Sequence, residues 1–123
     1  MRYQRGDIIW ASEAKNLTEE NNDVKNHYYV LINDDGMVVP FEYYGFVISS
    51  KVEKSKNNSP FKYNEPIEKS KENNLTTNSI VKCDKLFNIP VDNIGGKLGV
   101  ADENDFNRFL DAFEDCINNT INV

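Results

Sequence analysis

The chain has 123 residues, 39% hydrophobic and 28% charged, with 14 basic against 20 acidic side chains and a formal net charge of −6. That length suits one domain with its own core, expected over residues 1–123, and the composition excludes a disordered or fibrous chain. The acidic balance excludes bulk attraction to nucleic acid or anionic lipid, and no apolar run nears the ~18 residues needed to span a membrane.

In chain order, Met1 to Asp7 carries no apolar stretch of the signal-peptide kind, so the cytoplasm is the expected location. Asp7-Ile8-Ile9-Trp10-Ala11 is short, apolar and β-branched, the pattern of a buried strand. Residues 13–26 read as a polar loop. His27-Tyr28-Tyr29-Val30-Leu31-Ile32 is the strongest strand signal, and Asn33-Asp34-Asp35-Gly36 supplies turn chemistry after it. A further strand is predicted over 45–50. The window from Lys51 to Lys71 holds six lysines against three acids, a net of +3 that leaves −9 for the remainder. Its prolines, Pro60 and Pro66, predict a long loop with room for short edge strands.

Ser79 to Asp84 and Leu86 to Ile89 read as two strands separated by a kink, with Pro90 ending the run and Gly95-Gly96 marking a turn. Paired asparagines at 21–22, 57–58, 73–74 and 118–119 mark loops or termini. Phe106, Phe109, Leu110, Phe113 and Ile117 share one face of a predicted C-terminal helix, with Asp102 as its N-cap. Five strands and a closing helix predict a mainly β fold, a small, curved, partly closed sheet with the helix packed on it. Cys83 and Cys116 lie in no metal-like or redox-like pair and are expected as free thiols.

The chemical inventory is short. There is no Gly-rich phosphate loop, no His or Cys pair at metal-ligand spacing and no nucleophile elbow, so neither a cofactor nor a metal is expected. His27, the lone histidine, opens a strand at the sheet rim, where it is either general acid or base, or plain surface. Ser49 and Ser50 end the next strand and can donate hydrogen bonds to a phosphate, while Lys51 and Lys85 can neutralise one. Phe61 and Tyr63 stand among lysines, a mixture that suits unpaired bases but equally a core or a dimer contact.

In sequence, these segments resemble the MazF/PemK/Kid family of toxin endoribonucleases. Arg5-Gly6-Asp7-Ile8-Ile9-Trp10 looks like the family's opening "RGDIVW" strand, and Asn26 to Asp34 like its "GRPVLVISND" stretch. Phe46-Val47-Ile48-Ser49-Ser50 is similar to "VAAITS", Ser79 to Leu86 to "SVVLLDQIR", and Lys97-Leu98-Gly99 before the helix to "KLGxL". Each motif is short; their collinearity from Arg5 to about Ile117 carries the resemblance.

The resemblance implies an SH3-like β-barrel of five or more strands with a C-terminal helix, a homodimer, a cognate antitoxin and metal-free cleavage of single-stranded RNA by 2′-hydroxyl attack. Carried across, the family's arginine position falls on His27 and its Thr/Ser position on Ser49, the expected catalytic pair. Arg5, Ser50, Lys51, Phe61, Tyr63 and Lys85 are the expected RNA contacts, with residues 12–26 and 51–71 as groove walls. Tyr28 stands where the family has proline, and an imidazole, with an ordinary pKa of about 6.5, does not keep the arginine's permanent charge. A second reading keeps the barrel without the reaction: a catalytically silent protein that sequesters a protein or nucleic-acid partner, as the related CcdB fold does with a topoisomerase.

Overall fold

In the computed structural model residues 3–19, 23–33, 42–57 and 61–121 are described. They form strands β1 (Asp7–Asn16), β2 (Val24–Leu31), β3 (Glu42–Ser49), β4 (Asn64–Ile67), β5 (Ser79–Lys82), β6 (Phe87–Pro90) and β7 (Ile94–Val100), closed by helix α1 (Glu103–Ile121). All pairings are antiparallel. β1 pairs β2, β2 pairs β3, β3 pairs β6 and β6 returns to β1, which closes a four-strand barrel. β7 adds to β1, β5 to β3 and β4 to β5. The expected SH3-like small barrel with a C-terminal helix is the fold observed.

Closure explains why the strands read as unbroken apolar runs. Neighbouring residues of a strand point to opposite faces, and here both faces are buried. Ile9, Tyr29, Leu31, Val47, Phe87 and Ile89 fill the barrel, while Ile8, Val30, Phe46, Ile48 and Val81 pack outward with Phe106 and Phe109 of α1. The Asp105 amide donates to Asp102 Oδ1 at 2.7 Å, the expected N-cap. Ile117 departs from the expected helix stripe: it is 40% exposed where Phe106 and Phe109 are buried.

Three other expectations are corrected. Residues 13–26 are not one loop: β1 continues to Asn16 and β2 starts at Val24, joined through Glu13–Lys25 and Ala14–Val24 pairs. Polar composition hid them, since among the described residues of that stretch Ala14 and Asn16 are buried and Val24 partly so, between exposed polar neighbours. Gly95-Gly96 is strand interior in β7, not a turn, and Gly96 pairs with Trp10. A Cβ at Gly95 would lie 2.5 Å from Trp10 Cε3, so the indole lies where a side chain would otherwise stand. Asn118-Asn119 belongs to α1. Pro66 sits in β4, which among the described residues pairs with β5 alone, the edge position that proline tolerates. The predicted turn after Asn33, the Asn21-Asn22 pair and Pro60 lie outside the described residues.

The Arg5-Gly6-Asp7 segment is a structural joint. Gly6 has φ +92°, a conformation open mainly to glycine. Its amide donates to the Leu31 carbonyl at 2.8 Å, and its own carbonyl accepts from the Ala101 amide at 2.9 Å. Asp7 accepts from the Gln4 amide at 2.8 Å and pairs with Lys97 at 3.2 Å, which links the opening motif to β7. Cys83 is buried and Cys116 half-buried; both are free thiols, and burial pushes each thiol pKa up. Among the described residues no helix is long and apolar enough to cross a membrane.

Candidate functional site

The β2–β3 ladder ends on the Tyr28–Ile48 pair, so the next residues across it are His27 and Ser49. Both line one cleft of about 330 Å³, together with Ser50 and Lys51. Asn26, at φ +57°, kinks β2 just before the histidine. The His27 ring folds back so that Nδ1 lies 2.8 Å from the Lys25 carbonyl. A carbonyl oxygen only accepts, so Nδ1 carries the hydrogen, and in the neutral ring Nε2 keeps its lone pair. Ser49 Oγ accepts the Lys51 amide hydrogen at 3.2 Å, which occupies a lone pair and leaves the hydroxyl hydrogen to donate.

The opposite wall comes from residues 74–77 and Leu98. Asn73 shapes it. Its buried side chain accepts from the Ser70 and Leu75 amides at 2.9 and 3.0 Å and donates to the Glu68 carbonyl at 2.8 Å. Asn74, at φ +56°, then donates to the Leu98 carbonyl at 2.9 Å, and the Val100 amide donates to the Glu72 carbonyl at 2.9 Å. Gly99 allows this seating, since a Cβ there would meet the Glu72 carbonyl oxygen at 2.5 Å.

Replacing Asn73 by alanine leaves two amides and a carbonyl without that partner and should cost about 2–3 kcal/mol. Asn73→Asp keeps the acceptor bonds but sets a buried carboxylate oxygen against the Glu68 carbonyl, so it should cost at least as much. Denaturant melts of both variants check this order, and an alanine variant as stable as the parent would show that Asn73 does not hold the wall.

The structure therefore brings His27, Ser49, Ser50 and Lys51 together. Arg5, Phe61, Tyr63 and Lys85 are not among the described residues lining this cleft. The Arg5 guanidinium stacks over Phe106 at 5.8 Å. Phe61 is half-buried, and its carbonyl accepts from the Asn64 amide at 3.0 Å. Tyr63 accepts from Asn119 Nδ2 at 2.7 Å in a separate groove beside α1. Lys85 is ion-paired with Glu19. The expected walls, 12–26 and 51–71, contribute Asn26 and Lys51, while the facing wall, residues 74–77, was not anticipated beyond the Asn73-Asn74 loop signal.

Part of the lysine window is structural. Buried Glu65 holds Lys56 at 3.0 Å and Arg108 at 3.4 Å, tying β4 to α1. Another part is electrostatic. The Lys82 ammonium is destabilised by burial first, then by repulsion from Lys54, Lys85 and Lys51, so its pKa lies below the ordinary lysine value. Lys51, Lys54 and Lys85 thus stand near enough to Lys82 to repel it, with Asp84 opposing them, a proximity that the linear charge count could not reveal. Among the described residues no three His, Cys, Asp or Glu side chains converge as a metal would require.

A family model described as PemK-like, MazF-like toxin of type II toxin-antitoxin system matches residues 4–116. No curated protein matches the chain. Among solved structures, the Mycobacterium tuberculosis toxin MazF-mt6 aligns at 16% identity and TM-score 0.63, covering 91% of this chain and 96% of that one. The MazE-MazF structure from Deinococcus radiodurans aligns at 11% identity and TM-score 0.64, covering 95% and 96%. An endoribonuclease in complex with its cognate antitoxin from a mycobacterial species aligns at 11% identity and TM-score 0.60, covering 94% and 93%. At these identities the likeness is one of fold.

Proposed function

The chain belongs to the PemK-like, MazF-like toxin family, and from that premise we propose that it is a toxin that cuts single-stranded RNA in the cytoplasm without a metal. The observation that carries this reading is the single cleft shared by His27 and Ser49. In it, His27 Nε2 takes the proton of a ribose 2′-hydroxyl, and the oxygen attacks the adjacent phosphorus. The bond to the 5′-oxygen breaks and that oxygen is protonated in turn, which leaves a 2′,3′-cyclic phosphate and a 5′-hydroxyl. The Ser49 hydroxyl donates to a non-bridging oxygen as charge builds there, and Lys51 offsets that charge. A homodimer and a cognate antitoxin whose extended segment covers the cleft complete the proposal. The solved neighbour described with its cognate antitoxin supports that partner.

The test is cleavage of a long single-stranded RNA in chelator-containing buffer. Cutting that ends in cyclic phosphates, and that fails at any position carrying a 2′-deoxyribose, is the expected result. Cutting that needs an added divalent cation, or that also consumes DNA, would overturn it. The net charge of −6 favours a second reading, a non-catalytic binder that recognises its partner by shape rather than by bulk charge. Growth arrest on expression that persists in the His27→Ala, Ser49→Ala double variant would select that reading.

A further inference from the structure

A second cleft adjoins the first. Its register is set by three strands: Ile48 of β3 pairs with Tyr28 of β2, Tyr28 with Trp10 of β1, and Trp10 with Gly96 of β7. Residues paired across an antiparallel ladder present their side chains on one face. The row therefore runs from the strand that carries Ser49 to two adjacent aromatic rings and then to a glycine. Trp10 is half-buried and Tyr28 is 38% exposed. Beyond them the floor is open, since a Cβ built on Gly96 would meet nothing within 4 Å. The resulting cleft, about 370 Å³, is lined by Trp10, Tyr28, Gly95, Gly96, Lys97 and Leu98. Tyr28 and Leu98 also line the His27–Ser49 cleft, so the two clefts adjoin at these side chains.

We propose that the Trp10–Tyr28 cleft is a stacking subsite for an unpaired nucleobase of the RNA strand whose neighbouring phosphate lies between His27 and Ser49. This rests on the nuclease reading and adds to it the position where a flanking base is held. The walls suit a flat, uncharged ring system: two aromatic side chains, the open backbone at Gly96 and a leucine, with Gly95 packed against the Trp10 indole. Among the described residues lining it the one cation is Lys97, held by Asp7 at 3.2 Å. Stacking accepts any base, because every base has a π-face. Its place beside the phosphate cleft, with Tyr28 and Leu98 lining both, is what selects a base over a protein side chain as the occupant.

Trp10 is the single tryptophan of the chain, so its emission reports this cleft alone when excited at the red edge of the absorption band. The probes are 2′-fluoro oligonucleotides covering each of the four bases, which lack the attacking hydroxyl and cannot be cut by it, with binding followed in parallel by anisotropy. The expected result is saturable quenching of Trp10 that tracks binding and weakens when abasic sites are introduced. Tyr28→Leu should raise Kd about tenfold. Should that variant fold poorly, Trp10→Phe keeps a smaller ring and should weaken binding by less.

Binding without quenching would overturn the subsite and leave the nuclease reading standing, provided RNA is still cut. Absence of both binding and cutting would overturn both. Quenching in a protein that cuts no RNA would keep the subsite as a base-binding site and remove the reaction. A fall in the molar mass of the Tyr28→Leu protein by light scattering, with oligonucleotide affinity unchanged, would make this face a contact between copies and overturn the proposal.

Discussion

His27→Ala should slow RNA cleavage about 10²–10⁴-fold, the range that a positioned acid or base contributes. The side chain is exposed and its one described bond is to the Lys25 carbonyl, so stability should stay within about 0.5 kcal/mol of the parent. That separation makes the experiment informative, because a lost rate with an unchanged melt cannot be ascribed to unfolding. Single-turnover cleavage and a thermal melt of the same preparation are the measurements. Ser49→Ala, which removes one donor to the developing charge, should cost about 10²-fold. Its hydroxyl also accepts the Lys51 amide, so part of that loss reflects a displaced Lys51. An unchanged rate in His27→Ala would remove the imidazole from the mechanism and leave phosphate binding by Ser49, Ser50 and Lys51 without a base.

Phe109→Ala should lower unfolding free energy by about 3–5 kcal/mol, the cost of a cavity left by a fully buried aromatic ring. Phe109 has no exposure, and it joins Phe106 and the outward residues Ile8, Val30 and Phe46 in the cluster between α1 and the barrel. Phe113 adds a tilted contact with Phe46 at 5.2 Å between ring centres. Around this cluster Arg108 reaches Asp105 at 2.6 Å and the Pro66 carbonyl at 3.0 Å. These half-exposed pairs orient the helix but contribute little beside the buried ring. Denaturant unfolding with an unchanged m-value is the check, and Phe109→Leu, which refills much of the volume, should recover most of the loss. A cost below about 1 kcal/mol for the alanine variant would mean that the barrel stands without its helix. Since α1 does not line the His27–Ser49 cleft, residual activity of the folded fraction should be near the parent's.

Local periodicity carried the strands that bury both faces and the helix that buries one. Ile8-Ile9 and Tyr29-Val30-Leu31 are legible because β-branched and aromatic residues in a row leave a strand few alternatives. Asp102 is legible because an N-cap is decided within three residues of chain. Residues 13–16, 24 and 25 were not legible, since pairing with a partner strand, rather than side-chain pattern, holds them extended. Nor was β7, because Gly95 and Gly96 imply a turn until Trp10 is seen to occupy the space beside them.

The sequence by itself determined a mainly β fold of acidic character with a capped amphipathic helix, and it singled out His27, Ser49, Ser50 and Lys51 as strand-end chemistry. Only the tertiary structure decided that these four share a cleft, because their meeting depends on the register between β2 and β3. It also decided that Arg5 stacks on Phe106 and that Asn74 to Thr77 form the facing wall. The reason is physical: pattern along a chain reports which face of an element is buried. The residues that converge on a ligand are set by the pairing of strands distant in sequence, here through a loop held by Asn73 and seated on a glycine that leaves it room.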